Sequence, residues 1–262
     1  MRIDRLSTEN LREGVFCAGG KPHGEEMYDQ LEAWLEGEQL RGQIAREENG
    51  DVTGFVLYYP IEQAPLDVDG EGIYVVQCLY VKPDYQHKGI GRALIESALA
   101  DARECGATGI AAEGIQQDEE SELKPGAFFG HIGMSAVDTR DSGTLYFVSF
   151  DESAQPPRYL QPNTEMPKTS PKLKIDILDC RRCYVGISKR ELVKTVLEDI
   201  DNNNIDLEVH DQNTRQAILD KGMSSGIFID GRLSFFGKRM SEEDVWRAIE
   251  VAMSARDQAI DR

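Results

Sequence analysis

Residues 79–94 read Leu-Tyr-Val-Lys-Pro-Asp-Tyr-Gln-His-Lys-Gly-Ile-Gly-Arg-Ala-Leu: an apolar strand, a polar turn with two glycines, then a helix running to about Glu104. No other stretch restricts the fold as much. A strand that feeds through a tight turn into a helix belongs to an α/β layer, in which the helix packs back on the sheet that it leaves. Gly89 and Gly91 let the backbone turn sharply and approach a ligand without interference from a Cβ. The first amides of the helix are unpaired and stand at the positive end of its dipole, and Lys88 and Arg92 add charge at the same place. Such a turn binds phosphate. Its spacing does not fit a Walker loop, which has four residues between its glycines and then Lys-Ser or Lys-Thr, or the three-glycine dinucleotide fingerprint.

The surrounding pattern predicts a mixed sheet. Met27, Leu31, Trp34 and Leu35 recur at helical spacing. The runs Gln43–Glu47 and Val52–Tyr59 flank Asn49-Gly50, which reads as a hairpin turn. Gly72–Val81 is a continuous apolar strand. After the helix come a strand at Gly109–Ala112, a short helix near Phe128 and a hairpin of Ala136–Asp138 with Thr144–Phe150. Hairpin strands followed by a strand-helix-strand unit give an α/β fold with a mixed, mostly antiparallel sheet.

Five of the ten prolines fall between Pro156 and Pro171, in a stretch with no apolar periodicity. This predicts three segments: a first domain over 1–152, a proline-rich linker over 153–171 and a second domain over 172–262. The second domain reads as a strand at Leu173–Leu178, a helix from about Ser188 to Ile200, strands at Asp206–His210, Ile227–Asp230 and Leu233–Phe236, and a helix over Glu242–Met253. Ser188 and Ser241 are each placed to cap a helix. Between the first strand and helix lies Asp179-Cys180-Arg-Arg-Cys183.

A formal charge of −18 argues against nucleic acid or an anionic membrane as partner and suits cationic substrates such as amines. No run approaches the roughly 20 apolar residues of a membrane helix, and Met1-Arg2-Ile3-Asp4-Arg5 lacks a signal-peptide core. A cytoplasmic protein is expected. With five cysteines, only Cys180 and Cys183 close together, a disulfide framework is not expected. A single CxxC supplies two thiolates where tetrahedral zinc generally takes four ligands, so no metal is assigned.

Gln86-His-Lys-Gly89-Ile-Gly91, preceded by Leu79-Tyr-Val-Lys-Pro83, resembles the Gln/Arg-x-x-Gly-x-Gly/Ala loop of the GNAT N-acetyltransferases. Phe128-Phe-Gly-His-Ile-Gly-Met134 is similar to that family's Phe-Tyr-x-x-x-Gly-Phe. The resemblance covers residues 1–150. It implies a GNAT fold, acetyl-CoA as cosubstrate, and transfer of the acetyl group to a primary amine of a small molecule or peptide. It further implies that the amides of Gln86, His87, Lys88, Gly89, Ile90, Gly91 and Arg92 hold the pyrophosphate, while the backbone of Leu79, Tyr80 and Val81 pairs with the pantetheine arm. The acetyl group would then lie beyond Gln77 and Cys78.

Phe129 stands where many members carry a tyrosine that protonates the leaving thiolate, and Gln77 where some carry a glutamate base, so neither role transfers. Tyr74, Gln77 and Cys78 are the candidate catalytic residues, with Glu71, Tyr80 and His131 as further proton routes. Cys17, Lys21 and His23 lie in the turn-rich segment where the family builds its acceptor site. Strand, CxxC and helix resemble thioredoxin over roughly 172–255, with Cys180 as attacking and Cys183 as resolving thiol. That resemblance leaves redox, structural and soft-metal roles open, because Ser225-Gly226 replaces the thioredoxin proline. The whole resembles a GNAT subgroup with a C-terminal thioredoxin-like domain. The alternative is a CoA-binding thiol, redox or soft-metal sensor without turnover; a homodimer is left open.

Overall fold

The computed structural model describes residues 1–16, 24–115, 126–198, 200, 204–237 and 240–260. The chain divides into two compact units, Met1–Leu160 and Gln161–Arg262. The boundary falls inside the stretch expected to be a linker, and that stretch is shared out between the units. Arg158–Tyr159 pair with Val68–Asp69 in the first unit, while the amides of Asn163 and Met166 bond to Lys221 and Gly231 in the second. Proline density signalled an irregular backbone; it did not signal that this backbone is packed.

In the first unit, strands β1 (Arg2–Arg5), β2 (Arg41–Arg46), β3 (Val52–Pro60), β5 (Ile73–Val81), β6 (Gly109–Ile115), β7 (Ser135–Arg140) and β8 (Gly143–Ser149) form one sheet in the order β1-β2-β3-β5-β6-β8-β7. Only β5 and β6 are parallel, joined by the crossover helix α3 (Ile90–Glu104). Helices α1 (Leu11–Gly14), α2 (Glu25–Glu36) and α4 (Gly126–His131) complete the unit with a two-residue ladder of β4 (Val68–Asp69) and β9 (Arg158–Tyr159). That ladder and β1 are too short to show period-two patterning, and the sequence reading does not contain them.

Alternation along the strands sorts residues between the two faces. Tyr58, Val76, Ile110 and Ala112 pack on Leu94 and Ala98 of α3, forming one core. Tyr59 lies on the opposite face, edge-on to Trp34 of α2. The far end of α3 is fastened by Asp101: Arg41 donates to it from Nε at 2.5 Å and Nη2 at 2.7 Å, and the Tyr58 hydroxyl donates at 2.7 Å.

The second unit has strands β10 (Leu173–Asp179), β11 (Ile205–Asp211), β12 (Gly226–Ile229) and β13 (Arg232–Phe235), in the order β11-β10-β12-β13. Strand β10 is parallel to β11 and antiparallel to β12, and β12 is antiparallel to β13. Helices α5 (Tyr184–Glu198) and α7 (Glu242–Ile260) cover one face through Val193, Leu197, Val245 and Ile249; α6 (Arg215–Lys221) was not foreseen. Asp230 and Gly231, at φ 50° and 79°, supply the two left-handed residues of the β12–β13 turn. Helix α7 starts with a reciprocal cap: Ser241 Oγ accepts from the Asp244 amide at 3.2 Å, and Asp244 Oδ2 accepts from the Ser241 amide at 2.8 Å. Ser188 caps nothing. Helix α5 already begins at Tyr184, so Ser188 lies in its second turn and donates to the Val185 carbonyl at 3.0 Å.

Candidate functional site

Two features of the first unit meet at the carboxyl end of β5. The first is a gap in the sheet. Strands β5 and β6 pair from Ile73↔Gly109 to Val76↔Ala112 and no further, although β5 runs on to Val81 and β6 to Ile115. The break coincides with a β-bulge on the other side of β5: Leu57 is opposite Cys78 and Tyr58 opposite Val76, leaving Gln77 as the extra residue. A bulge bends its strand and increases the local twist, which turns β5 away from β6. Beyond Val76 and Ala112 the two strands no longer pair with each other.

The second feature is the turn 82–90. Pro83–Tyr85 form a single 3-10 turn, and Gln86 Nε2 donates to the Val81 carbonyl at 3.1 Å, tying the loop to the end of the strand. His87 and Gly89 then take left-handed backbone, φ 59° and 83°, and α3 starts at Ile90 with no side-chain cap. The amides from His87 to Arg92 make no hydrogen bond among the described residues; the first of the helix to do so is Ala93, to the Gly89 carbonyl at 3.0 Å. Lys88 stacks its ammonium 5.0 Å from the Tyr85 ring centroid. Orphaned donors thus gather at the start of a 15-residue helix, an arrangement that suits an anion. The turn depends on Gly89. Gly91 lies inside the helix, where a Cβ would meet the Phe128 ring at 3.4 Å, an ordinary contact, so neither backbone nor packing demands a glycine there as the turn demands Gly89.

The residues expected to be catalytic separate. Gln77 stands at the bulge, buried, and its Oε1 accepts from the Tyr59 hydroxyl at 2.6 Å. Cys78 is half-buried beside it. Tyr74 is not there: it lies in the paired part of β5, on the α3 face, with its ring 5.8 Å from that of Tyr58. Burial and a hydrogen bond with Cys105 push its pKa up to about 12. Leu79 and Val81 turn towards the α3 face and Tyr80 towards Phe55 and Phe16. Phe129 is fully buried against Tyr146, whose hydroxyl reaches towards Gly126. Cys17, Lys21 and His23 fall outside the described residues.

The sequence reading missed Glu113, on β6 directly after the last paired residue, Ala112. Its Oε1 accepts from Arg140 Nη2 at 2.9 Å and from the Tyr159 hydroxyl at 3.0 Å. Arg140 Nη1 also reaches Asp67 Oδ2 at 3.4 Å, and its Cζ lies 4.1 Å over the Tyr159 ring. Burial opposes the Arg140 charge, but Glu113 and Asp67 raise its pKa. Burial and the Glu113 charge raise that of Tyr159 far above the ordinary phenol. No local pattern links residues 113, 140 and 159; the signal was an isolated glutamate in a small-residue strand.

In the second unit, α5 begins just after Cys183, so Cys183, not Cys180, stands at the helix N-terminus. Cys183 is half-buried and Cys180 is 2% exposed, with Arg182 Nη1 at 3.9 Å from its sulfur. Neither is in a disulfide. Asp176, Glu208 and His210 bring together metal-type donors, but the Lys174 ammonium already bridges the two carboxylates at 3.2 and 2.7 Å. No helix among the described residues is long and apolar enough to cross a membrane.

The sequence model of the acetyltransferase (GNAT) family matches residues 7–122. The chain is 35% identical over 97 residues to the L-amino acid N-acyltransferase MnaT of Escherichia coli, covering 36% of this chain and 54% of that protein. It is 22% identical over 134 residues to the uncharacterized N-acetyltransferase YoaP of Bacillus subtilis, covering 51% of this chain and 53% of that protein. The chain thus spans about half the length of the curated relatives it matches. Among solved structures, the PaiA N-acetyltransferase from Thermoplasma acidophilum in complex with coenzyme A aligns at 18% identity and a TM-score of 0.42, covering 57% of this chain and all of that one. Over residues 7–122, which hold the parted β5 and β6 and the orphaned amide turn, the N-terminal unit is thus similar to the acetyltransferase (GNAT) family.

Proposed function

We propose that this protein is an N-acetyltransferase that passes the acetyl group of its cosubstrate acetyl-CoA directly to a primary amine. The observation that carries the reading is the junction of the parted strands with the amide cradle. A diphosphate on the amides of residues 87–92 leaves the pantetheine arm, itself an amide chain, to lie along Leu79–Val81, past the point where β5 stops pairing with β6. The thioester then reaches Gln77 and Cys78. Lys88 and Arg92 complement the phosphates in a chain that is otherwise strongly acidic.

The cosubstrate supplies an activated acyl group; the protein supplies orientation and charge stabilisation. Backbone amides at the bulge polarise the thioester carbonyl. The amine lone pair forms the N–C bond, and the C–S bond breaks with its electron pair going to sulfur. The proton lost from nitrogen passes to water. Phe129 and Gln77 supply no acid or base, and Tyr74 faces the wrong side of the sheet. The name of the relative MnaT favours amine acceptors of amino-acid size.

The second unit is proposed to be a thioredoxin-like accessory domain. The strand order β11-β10-β12-β13, with one parallel pair and an antiparallel hairpin, supports this, as does the pair of cysteines before α5. The half-buried Cys183 at the helix N-terminus is there the better placed attacking thiol.

The testing experiment is isothermal titration of acetyl-CoA, and of CoA, into reduced and oxidised protein. Binding is expected in both states, and absence of binding in both sinks the transferase reading. Cys180→Ser with Cys183→Ser is expected to leave the affinity within twofold, since neither residue belongs to the cradle.

A further inference from the structure

We infer that Glu113 is the acceptor-binding residue of this transferase: it holds the ammonium of a cationic primary amine at the mouth of the parted strands. The inference rests on the transferase reading and adds to it a named residue and the charge of the substrate.

Position comes first. Pairing of β5 with β6 ends at Val76↔Ala112, so the first residues beyond it on the two arms are Gln77 and Glu113. Ala112 packs against α3, and alternation turns Glu113 to the opposite face, where Gln77 meets Tyr59 and Tyr59 meets Trp34. Glu113 is therefore opposite the point where the thioester is proposed to lie and on the side away from α3.

Charge comes second. Glu113 Oε1 is held by Arg140 and Tyr159, while Oε2 has no hydrogen-bond partner among the described residues; the side chain is 28% exposed. Asp67 and Asp138 lie around the same guanidinium and tyrosine: Asp67 Oδ2 is 3.4 Å from Arg140, and Asp138 Oδ2 accepts from the Tyr159 amide at 2.7 Å. Among the described residues, three carboxylates against one guanidinium leave the site net negative. A substrate carboxylate placed here meets like charge, and an ammonium meets a free carboxylate oxygen.

Preorganisation comes third. Tyr159 lies on β9, beyond the last strand of the main sheet, and reaches Glu113 because β9 pairs with β4. The segment thus fixes the carboxylate whose rotamer would otherwise be free. Tyr159 is a positioning residue, acting through Glu113.

The test uses the full chain with acetyl-CoA and two probes: L-methioninamide, a primary amine without a carboxylate, and L-methionine. Wild type is expected to acetylate the amide with the higher kcat/KM. Glu113→Gln is expected to lower kcat/KM for the amide about fiftyfold through loss of a charge-assisted hydrogen bond, with acetyl-CoA affinity within twofold. Glu113→Asp is expected to restore part of it, and Tyr159→Phe to raise KM several-fold with kcat unchanged. An unchanged kcat/KM in Glu113→Gln overturns the inference and leaves the transferase standing, as does a wild-type preference for L-methionine. Binding of acetyl-CoA without turnover of either probe also overturns it. Failure to bind acetyl-CoA is the failure of the transferase reading itself.

Discussion

Gly89→Glu is expected to weaken acetyl-CoA binding about a thousandfold in a protein that remains folded. Two effects combine. Gly89 holds φ at 83°, a conformation that costs a residue with a Cβ about 1 to 2 kcal/mol. A Cβ there meets nothing within 4 Å, so the substitution does not fill the cradle sterically; its damage is electrostatic. A carboxylate about 5.5 Å from a phosphate charge at a protein surface costs about 3 kcal/mol, which with the backbone share of about 1 kcal/mol makes the thousandfold. Gly89→Ala isolates the backbone share and is expected to lose about tenfold. Isothermal titration separates the two, and near-native affinity in a folded Gly89→Glu protein removes the cradle as the phosphate site.

Asp101→Asn is expected to destabilise the N-terminal unit by about 3 kcal/mol, the cost of leaving a partly buried cation without its partner. Arg41 and Asp101 are only 16% and 13% exposed, and Tyr58 depends on the same carboxylate, itself accepting from Gln43 at 3.0 Å. The chain has two tryptophans, Trp34 in the first unit and Trp246 in the second. Urea unfolding followed by Trp34 fluorescence in a Trp246→Phe background reports the unit concerned. The pH dependence has a defined sign. Burial pushes the Asp101 carboxyl up, but its hydrogen bonds from Arg41 and Tyr58, with the Arg41 charge, hold it below its ordinary 3.8. The native state therefore binds its proton more weakly than the unfolded state. The stabilisation is fully present above 3.8 and is lost as pH falls through the depressed pKa. The gap between wild type and Asp101→Asn should narrow in that acid window and stay constant at neutral pH.

The anion cradle was legible in the sequence because all of it is local. A strand end, a left-handed glycine and a helix start lie within a dozen residues, and the backbone carries the chemistry. The long elements were legible for the same reason: α2 and α3 declare themselves by period, β3 and β5 as continuous apolar runs. The roles of Gly89 and Gly91 were not separable, since which glycine takes positive φ depends on where α3 begins.

The acceptor side was illegible. Glu113, Arg140 and Tyr159 come from β6, β7 and β9, and the pairing of β9 with β4, together with the bond of the Tyr159 amide to Asp138, brings the last of them to the first. Tyr74 is a candidate in the sequence, yet the parity of the strand sends it to the α3 face. The bulge at Gln77 likewise has no sequence signature here; it exists because β3 and β5 are held in register on both sides of it. Local chemistry along the chain determined where unpaired amides gather, the site proposed for the phosphates. Strand register and parity, which depend on partners far away in sequence, decided which side chains face it across the gap.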